Sequence, residues 1–433
     1  MVRPGMQEVP GGPRGGPRRV WDGGAGNHSH MTQNRLERTE NFLVSLIRRP
    51  SLDARLFPRR VQFLLWWLKQ LSRLYGGVVQ LRLFLYRKGI FRHHALGCQV
   101  ISVGNLTVGG TGKTPVVEVF ARELAKVGRK AAILSRGYKK QEARPLRRLA
   151  NWLLLREVAR PPRVVSDGRQ LLLDSAMSGD EPYMLAANLP DVAVLVDKNR
   201  VKSGRYAINR LGCDTLILDD GFQYLSLRHR VEIVLVDCTN PFGNGHVLPR
   251  GILREPVRNL AKADFIFLTK SNGHGTEDLR AQIRALNSRA EIIECRHCPR
   301  YLENAFTGQQ LPLEALGGMK AVVMSGIAVP EGFESELRAR GVNPLETYRF
   351  ADHHRYSQQE LIDVVNVAAR LGADAVLTTE KDAVRFPKLD RCDVPVWFLR
   401  VDIEILSGHE DFHHCIERIC FFNEPEPSGT HAR

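Results

Sequence analysis

Short runs of apolar residues alternate with helix-forming stretches through the middle of the chain. The runs fall at Gln99–Val103, Ala131–Leu134, Val192–Val196, Thr215–Leu218, Glu232–Val236 and Phe265–Leu268. Continuous apolar runs of this kind are typical of strands that are buried on both faces of a parallel sheet. The pattern therefore predicts an α/β fold with a mostly parallel sheet and helices on both faces.

The alternation stops near Pro299, where Gly and Pro accumulate, and resumes in a second set of apolar runs. These runs fall at Ala321–Met324, Val376–Thr378 and Val396–Leu399. We therefore predict a larger domain at 98–300, a linker at 301–318, a smaller C-terminal α/β domain at 319–422 and a frayed tail at 423–433.

The N-terminal part of the chain changes character twice. Residues 1–30 are rich in Gly, Pro and Arg and lack apolar periodicity, which predicts disorder; Met31 is an alternative translational start. Within residues 31–97, the segment 61–85 is the most apolar of the chain, but three cations and the Gly76-Gly77 pair interrupt it. We predict a helix that lies in the membrane interface rather than one that spans it. A helix docked on the protein's own sheet is the alternative.

A glycine-rich turn joins the first apolar run to an amphipathic stretch. Its residues Gly109, Gly110, Thr111, Gly112, Lys113 and Thr114 have the composition of a phosphate-binding loop at a helix N-terminus. Lys113 would contact terminal phosphates and the Thr114 hydroxyl would serve Mg²⁺. Thr107 stands where the common pattern G-x-x-x-x-G-K-[ST] has its first glycine. A simple strand-to-helix turn with an exposed lysine is the alternative.

Polar residues follow almost every predicted strand, at the edge where parallel α/β sheets bind ligands. Asp219 and Asp220 close one of these strands, and a carboxylate near a phosphate loop is needed to hold Mg²⁺. An Asp-Gly turn without a metal is the alternative interpretation.

Two further motifs are candidates for proton transfer. Asp180 and Glu181 precede a helical stretch, where acids also occur for capping reasons, and His353 and His354 follow an aspartate. An Asp and a His facing each other would form a general-base pair. The Cys295-Arg296-His297-Cys298 segment has thiolate spacing for zinc, but it lacks a second such pair, so we do not expect a metal there.

Composition narrows the class of partner. The chain carries 62 Lys and Arg against 47 Asp and Glu, a net charge of +15, which indicates an anionic partner: a phosphorylated substrate, a nucleic acid or an acidic membrane. The 8 cysteines form no regular framework, which favours a reducing compartment, and no secretory signal is evident. The Arg-rich interval 139–163 is interpreted as a solvated insertion, with a surface-seeking helix as the alternative.

The motifs together resemble the tetraacyldisaccharide 4'-kinases of lipid A biosynthesis over about Tyr75–Phe386. They occur in the order SVGNLTVGGTGKTP, SRGY, GDEP, LDDGFQ, GNG, LPRGILREP, FADHH and TTEKDAVRF. The resemblance implies a P-loop NTPase-like kinase domain at 98–300 that uses ATP and Mg²⁺ to phosphorylate the 4'-hydroxyl of an acylated glucosamine disaccharide 1-phosphate. It also implies peripheral or monotopic association with the anionic cytoplasmic face of the inner membrane. The interval after SRGY and the N-terminal extension depart from the family pattern.

The same resemblance assigns roles to residues. Asp180 would accept the hydroxyl proton, and His353, or His354 if the pairing is displaced by one, would orient it. Asp219 or Asp220 would serve Mg²⁺, together with Thr114. The residues implied to bind the nucleotide or line its cleft are Gly109, Gly110, Thr111, Gly112, Lys113, Thr114, Gln223, Arg254 and Glu255.

Two other classes of protein compete with this interpretation. A nucleotide switch of the GTPase or partition-ATPase type also uses such a loop, and Thr269-Lys270-Ser271-Asn272 resembles a guanine-reading motif, but Asn272 lacks the carboxylate that would pair with guanine. A nucleic-acid binder is suggested only by the charge. Because aromatic platforms at a regular spacing are missing, we expect no nucleic-acid partner.

Overall fold

The computed structural model describes residues 19–20, 57–137, 161–389 and 392–420. They form two compact units: residues 57–299 and 401–420 belong to the larger, and residues 300–400 with 19–20 belong to the smaller. The predictions for the interval 139–160, for the tail 423–433 and for most of 1–30 fall outside the described residues.

The described residues contain the following strands. They are β1 (Arg19–Val20), β2 (Gln99–Asn105), β3 (Ala131–Ser135), β4 (Arg163–Asp167), β5 (Ala193–Val196), β6 (Thr215–Asp219), β7 (Val231–Asp237), β8 (Phe265–Thr269), β9 (Glu291–Asn304), β10 (Gln310–Pro312), β11 (Lys320–Ser325), β12 (Asn343–Arg349), β13 (Ala375–Thr379) and β14 (Val396–Ser407).

The α-helices of the same residues are numbered separately. They are α1 (Arg59–Arg87), α2 (Lys113–Lys126), α3 (Ser175–Ser178), α4 (Asp180–Asn188), α5 (Arg200–Leu211), α6 (Glu277–Leu286), α7 (Pro330–Ala339), α8 (Gln358–Arg370), α9 (Glu380–Ala383) and α10 (His409–Cys420). Two 3₁₀ helices lie at Val257–Lys262 and Leu313–Leu316.

The larger unit is built on a sheet with the strand order β9-β8-β7-β2-β6-β3-β5-β4. The neighbours along β9 to β5 are parallel, whereas β4 is antiparallel to β5. Alternate residues of these strands enter different cores. Ile133 belongs to the core that includes α2 and α4, and Leu134 to the core that includes α5. The predicted α/β class, with helices on both faces of a mostly parallel sheet, is confirmed.

The smaller unit contains the parallel strands β12, β11, β13 and β14 in that order, with β1 beside β12. Helix α8 begins with a capping box formed by Ser357 and Glu360 and packs its apolar residues on this sheet. This part of the chain is therefore a second α/β layer, as the resumed alternation predicts.

The boundary of the smaller unit differs from the prediction, which extended it to residue 422. Helix α10 belongs to the larger unit. The Phe412 ring lies 5.4 Å from the Phe120 ring and 6.3 Å from the Phe267 ring, and Cys415 and Ile416 are buried in the same core. The local sequence of α10 could not show which sheet its apolar face covers.

Helix α1 continues through Gly76-Gly77, which the sequence analysis treated as a break. A glycine costs a helix about 1 kcal/mol, and contacts on both sides of the pair hold the helix: Ser72 Oγ donates to Val247 O, and Gln80 Nε2 donates to Asn259 Oδ1. In the described part of the chain, no helix has both the length and the apolarity needed to cross a bilayer.

The position of α10 generates a stability prediction. Phe412→Ala would leave a cavity among the Phe120 and Phe267 rings, so we expect the free energy of unfolding of the larger unit to fall by about 3–5 kcal/mol in denaturant titrations. His413→Ala removes an exposed neighbour and should change it by less than about 0.5 kcal/mol. Equal midpoints for the two variants would contradict the packing of α10 on this core.

Candidate active site

The phosphate loop connects the end of β2 to the start of α2. Gly112 precedes the helix at φ 79° and Gly109 lies at φ 128°, both in the region that glycine adopts more readily than other residues. Thr107 needs no such freedom, because it forms a β-bridge with Leu253 and its carbonyl accepts from Asn105 Nδ2 at 3.0 Å. The departure from the common glycine pattern is therefore accommodated by regular backbone pairing.

The ammonium of Lys113 lies between two groups at the end of the central strands. Its Nζ is 3.3 Å from Asn105 Oδ1 and 3.4 Å from Asp220 Oδ1. Arg254 contacts the same carboxylate, with Nη1 at 2.8 Å from Oδ1 and 2.7 Å from Oδ2. Gln223 accepts from Arg254 at 3.4 Å and donates to Asn105 O at 3.0 Å. The structure thus brings together Lys113, Asp220, Gln223 and Arg254.

The two adjacent carboxyl groups experience different environments. Burial raises the pKa of Asp219, although Lys113 opposes this, and Ser135 Oγ donates to Asp219 at 2.9 Å. Burial also acts to raise the pKa of Asp220, but Lys113 and Arg254 outweigh it, so that this pKa is lower than usual. Asp220 therefore carries a stable negative charge beside the loop.

The GDEP residues begin helix α4. Asp180 is buried and is the first residue of α4, after Gly179 at φ 96°. The charge of its neighbour Glu181 contributes to the raised pKa of Asp219, after burial and Asp220. Thr114, the second residue of α2, is half-buried. Of these residues, Glu181 is the one whose charge reaches Asp219 at the end of β6.

His353 belongs to the smaller unit and has its own surroundings there. It lies at φ 63°, its N–H donates to Gly326 O at 3.2 Å, and its Nδ1 is 3.4 Å from Arg385 Nη2. His354 instead contacts Glu360 at 3.1 Å and stacks its ring on Phe350 at 4.9 Å. A backbone held in the left-handed region by a buried network is consistent with a functional position for His353.

Glu255, which directly follows Arg254, makes two hydrogen bonds inside the larger unit. Its side chain is buried, and its Oε2 accepts from Asn259 Nδ2 at 2.7 Å and from Lys262 Nζ at 3.0 Å. Through these two contacts Glu255 supports the 3₁₀ helix that follows Arg254. Its place in the nucleotide cleft, which the family resemblance implies, stays a prediction.

Other residues at the site were not assigned from the sequence. Asn105 positions Lys113, and Lys270 Nζ donates to Gly110 O at 2.8 Å. Arg200 is buried and lies over the Tyr224 ring at 4.8 Å; burial lowers its pKa, while Tyr224 and Asp219 oppose the shift. Asn105 ends β2 and Lys270 directly follows β8. A polar residue at the end of a predicted strand is the sequence signal that could have identified both.

The Cys295 segment has no metal-site geometry. Burial raises the pKa of Cys295 to about 12, so its thiol stays neutral. Among the described residues, no group of three or more His, Cys, Asp or Glu side chains is placed to hold a metal ion.

These features define a class of protein. A parallel sheet, a glycine loop with positive φ angles, a lysine at the following helix N-terminus and two carboxylates at a neighbouring strand end are the parts of a P-loop phosphotransferase. The family model described as LpxK, tetraacyldisaccharide-1-P 4'-kinase, matches residues 64–420. The chain therefore belongs to the tetraacyldisaccharide-1-phosphate 4'-kinase family and is a kinase.

Individual relatives agree with this assignment. The chain is 42% identical over 337 residues to a tetraacyldisaccharide 4'-kinase of Anaeromyxobacter dehalogenans, covering 76% of this chain and 83% of that one. It is 34% identical over 374 residues to that of Halothermothrix orenii, covering 83% and 91%. The crystal structure of LpxK from Aquifex aeolicus in complex with ATP matches with a TM-score of 0.63 and 28% identity, covering 82% and 99%.

The close approach of two motifs at the site can be tested. A Cβ at Gly104 would lie 2.7 Å from both the backbone nitrogen and the Cβ of Phe222. The Phe222 nitrogen belongs to the backbone and cannot rotate out of the way. Gly104→Ala should therefore displace the segment that carries Asp220 and lower kcat/KM by about tenfold or more. Gly332→Ala, in α7, meets nothing within 4 Å and should leave kcat/KM unchanged. Full activity of Gly104→Ala in a phosphotransfer assay would refute this packing.

Proposed function

We propose that the chain transfers the γ-phosphoryl group of ATP to the 4'-hydroxyl of a tetraacylated glucosamine disaccharide 1-phosphate. The observation that carries the proposal is the contact of Lys113 and Arg254 with Asp220 beside the glycine loop. The acceptor is inferred from the family to which the chain belongs. The nucleotide is inferred from the relative of Aquifex aeolicus, whose crystal structure is a complex with ATP.

The loop has space and polar groups suited to a triphosphate. A Cβ built at Gly109 or Gly110 meets nothing within 4 Å, so the loop's outer side is open. The Thr111 hydroxyl is buried and has no hydrogen-bond partner among the described residues. An orphaned hydroxyl in a glycine loop at a helix N-terminus suits a phosphate oxygen.

The donor set also suits Mg²⁺. The ion prefers oxygen ligands and usually binds through one or two carboxylates together with substrate phosphates. Asp219, Asp220 and the Thr114 hydroxyl would hold it, and Asp220 is ionised by its two cationic neighbours. When bound, the ion would neutralise charge on the transferred group.

The protein's own residues then divide the work of transfer. Lys113 and Arg254 stabilise negative charge near the leaving diphosphate, because both ammonium and guanidinium groups lie at the loop. Asp180 accepts the proton of the 4'-hydroxyl. The hydroxyl oxygen then bonds to the γ-phosphorus while the bond between the γ-phosphorus and the bridging β-phosphate oxygen breaks, which releases ADP. The orienting role that the family resemblance gives to His353 stays a prediction.

Helix α1 suits an interface with lipid. Its large apolar side chains are exposed, with fractions of 63% for Phe63, 53% for Trp66 and 67% for Leu74. Exposed cations flank this surface: Arg59, Arg60, Arg87, Lys88 and Arg92. Each would add about 1 kcal/mol of attraction to an anionic surface. We propose peripheral binding to the cytoplasmic face of the inner membrane, where an acylated acceptor is reached without leaving the bilayer.

The catalytic assignment predicts the effects of two variants. Lys113→Ala should lower kcat by about 100-fold or more, because a positive charge at the transferred phosphate is lost. Asp180→Asn should lower kcat by about 10²–10⁴-fold, because the proton acceptor is lost. Transfer of radiolabelled phosphate from ATP to the lipid disaccharide measures both. Lys126→Ala, at the other end of α2, should retain the parent rate. Turnover that persists in Asp180→Asn would move the proton acceptor elsewhere.

The membrane proposal predicts a change in vesicle binding. The triple variant Phe63→Ser, Trp66→Ser, Trp67→Ser should bind phosphatidylglycerol-containing vesicles at least about 1,000-fold more weakly in sedimentation assays. Each of the three rings contributes about 1.5–3 kcal/mol when buried, and every 1.4 kcal/mol changes the affinity about tenfold. The triple variant Val329→Ser, Leu345→Ser, Leu371→Ser removes apolar residues exposed in the smaller unit and should bind normally. Equal binding of the two variants would place α1 off the membrane.

A further inference from the structure

We propose that Thr269 and Lys270, at the end of β8, are positioning residues that orient two consecutive peptide groups of the phosphate loop. The inference rests on the proposed use of ATP but is independent of the acceptor. Neither residue belongs to the glycine motif, and both lie about 155 positions after it in the chain.

Two carbonyl groups of the loop are bound from the same strand end. Lys270 Nζ donates to Gly110 O at 2.8 Å, and Thr269 Oγ1 donates to Thr111 O at 2.9 Å. Thr269 is fully buried, so its hydrogen bond is shielded from water. Two adjacent carbonyls are thus turned toward β8.

The orientation of these carbonyls determines the orientation of two amides. In a planar trans peptide the C=O and the N–H point in opposite directions. With Gly110 O and Thr111 O turned toward β8, the N–H groups of Thr111 and Gly112 point away from β8. Amides with a common direction in a glycine loop are what binds phosphate oxygens. The strand end therefore preorganises donors that the glycines alone would leave free to rotate.

Lys270 is itself held in place. Its ammonium pairs with Asp237 Oδ2 at 2.5 Å, at the end of the neighbouring strand β7, and its backbone lies at φ 55°. The His297 imidazole fills the space beside Gly112, where a Cβ would lie 2.5 Å from the ring. These contacts support the loop from the side of β7, β8 and β9.

The central experiment measures ATP affinity without any acceptor. Lys270→Met keeps the aliphatic stem and removes the donor, and Thr269→Val keeps the shape and removes the hydroxyl. We expect calorimetric Kd values for MgATP to rise about tenfold for Lys270→Met and about three- to tenfold for Thr269→Val. Lys270→Arg, which keeps a donor and the ion pair, should recover most of the affinity.

The controls match the chemistry of each change. Lys126→Met removes an ammonium paired with Glu123 on the surface, and Thr378→Val removes a buried hydroxyl that has no hydrogen-bond partner among the described residues. Both should leave the Kd for MgATP within about twofold of the parent.

Steady-state kinetics separate positioning from mere stability. In the full reaction, KM for ATP should rise in Lys270→Met while KM for the lipid disaccharide stays constant. Lower thermal stability with unchanged Kd in both Lys270→Met and Thr269→Val would overturn the proposal, as would a Lys270→Arg variant no better than Lys270→Met. Because Kd is measured without acceptor, an error in the proposed acceptor would leave these Kd shifts intact.

Discussion

Asp220 and its two cationic partners hold the active site together. Lys113 comes from the glycine loop, Arg254 from the segment after β7, and Asp220 from the turn after β6. Burial alone would raise the pKa of this carboxyl group, and the two cations instead lower it. The ion pairs therefore fix three segments and a negative charge in one arrangement, as electrostatic preorganisation requires.

The same segment links the site to helix α1. Ser72 Oγ donates to Val247 O at 2.7 Å, and the Tyr75 hydroxyl donates to Arg254 O at 3.1 Å. The exposed apolar side of α1 is consequently held at a fixed position relative to the guanidinium that contacts Asp220. A lipid surface bound by α1 would lie at a defined place relative to the phosphate loop, which suits an acceptor anchored by acyl chains.

Local patterns predicted much of the fold and part of the site. The apolar runs located β2, β3, β5, β6, β7 and β8, because strands buried on both faces have few alternatives to apolar residues. The end of one such run also located Asp219 and Asp220. The hydrogen bonds of Glu255 were not predicted, because its partners Asn259 and Lys262 belong to a 3₁₀ helix that the sequence pattern did not reveal.

The sequence by itself determined the α/β class, the glycine loop and the family, because these follow from short-range periodicity and from the order of motifs that are each only a few residues long. Only the tertiary structure showed that α10 covers the larger sheet, that Arg254 and Lys113 share one carboxylate, and that Lys270 reaches Gly110. Each of these contacts joins residues that are more than 100 positions apart in the chain or on different elements. Such contacts depend on which strand ends meet at the edge of the sheet, and local periodicity does not determine the strand order.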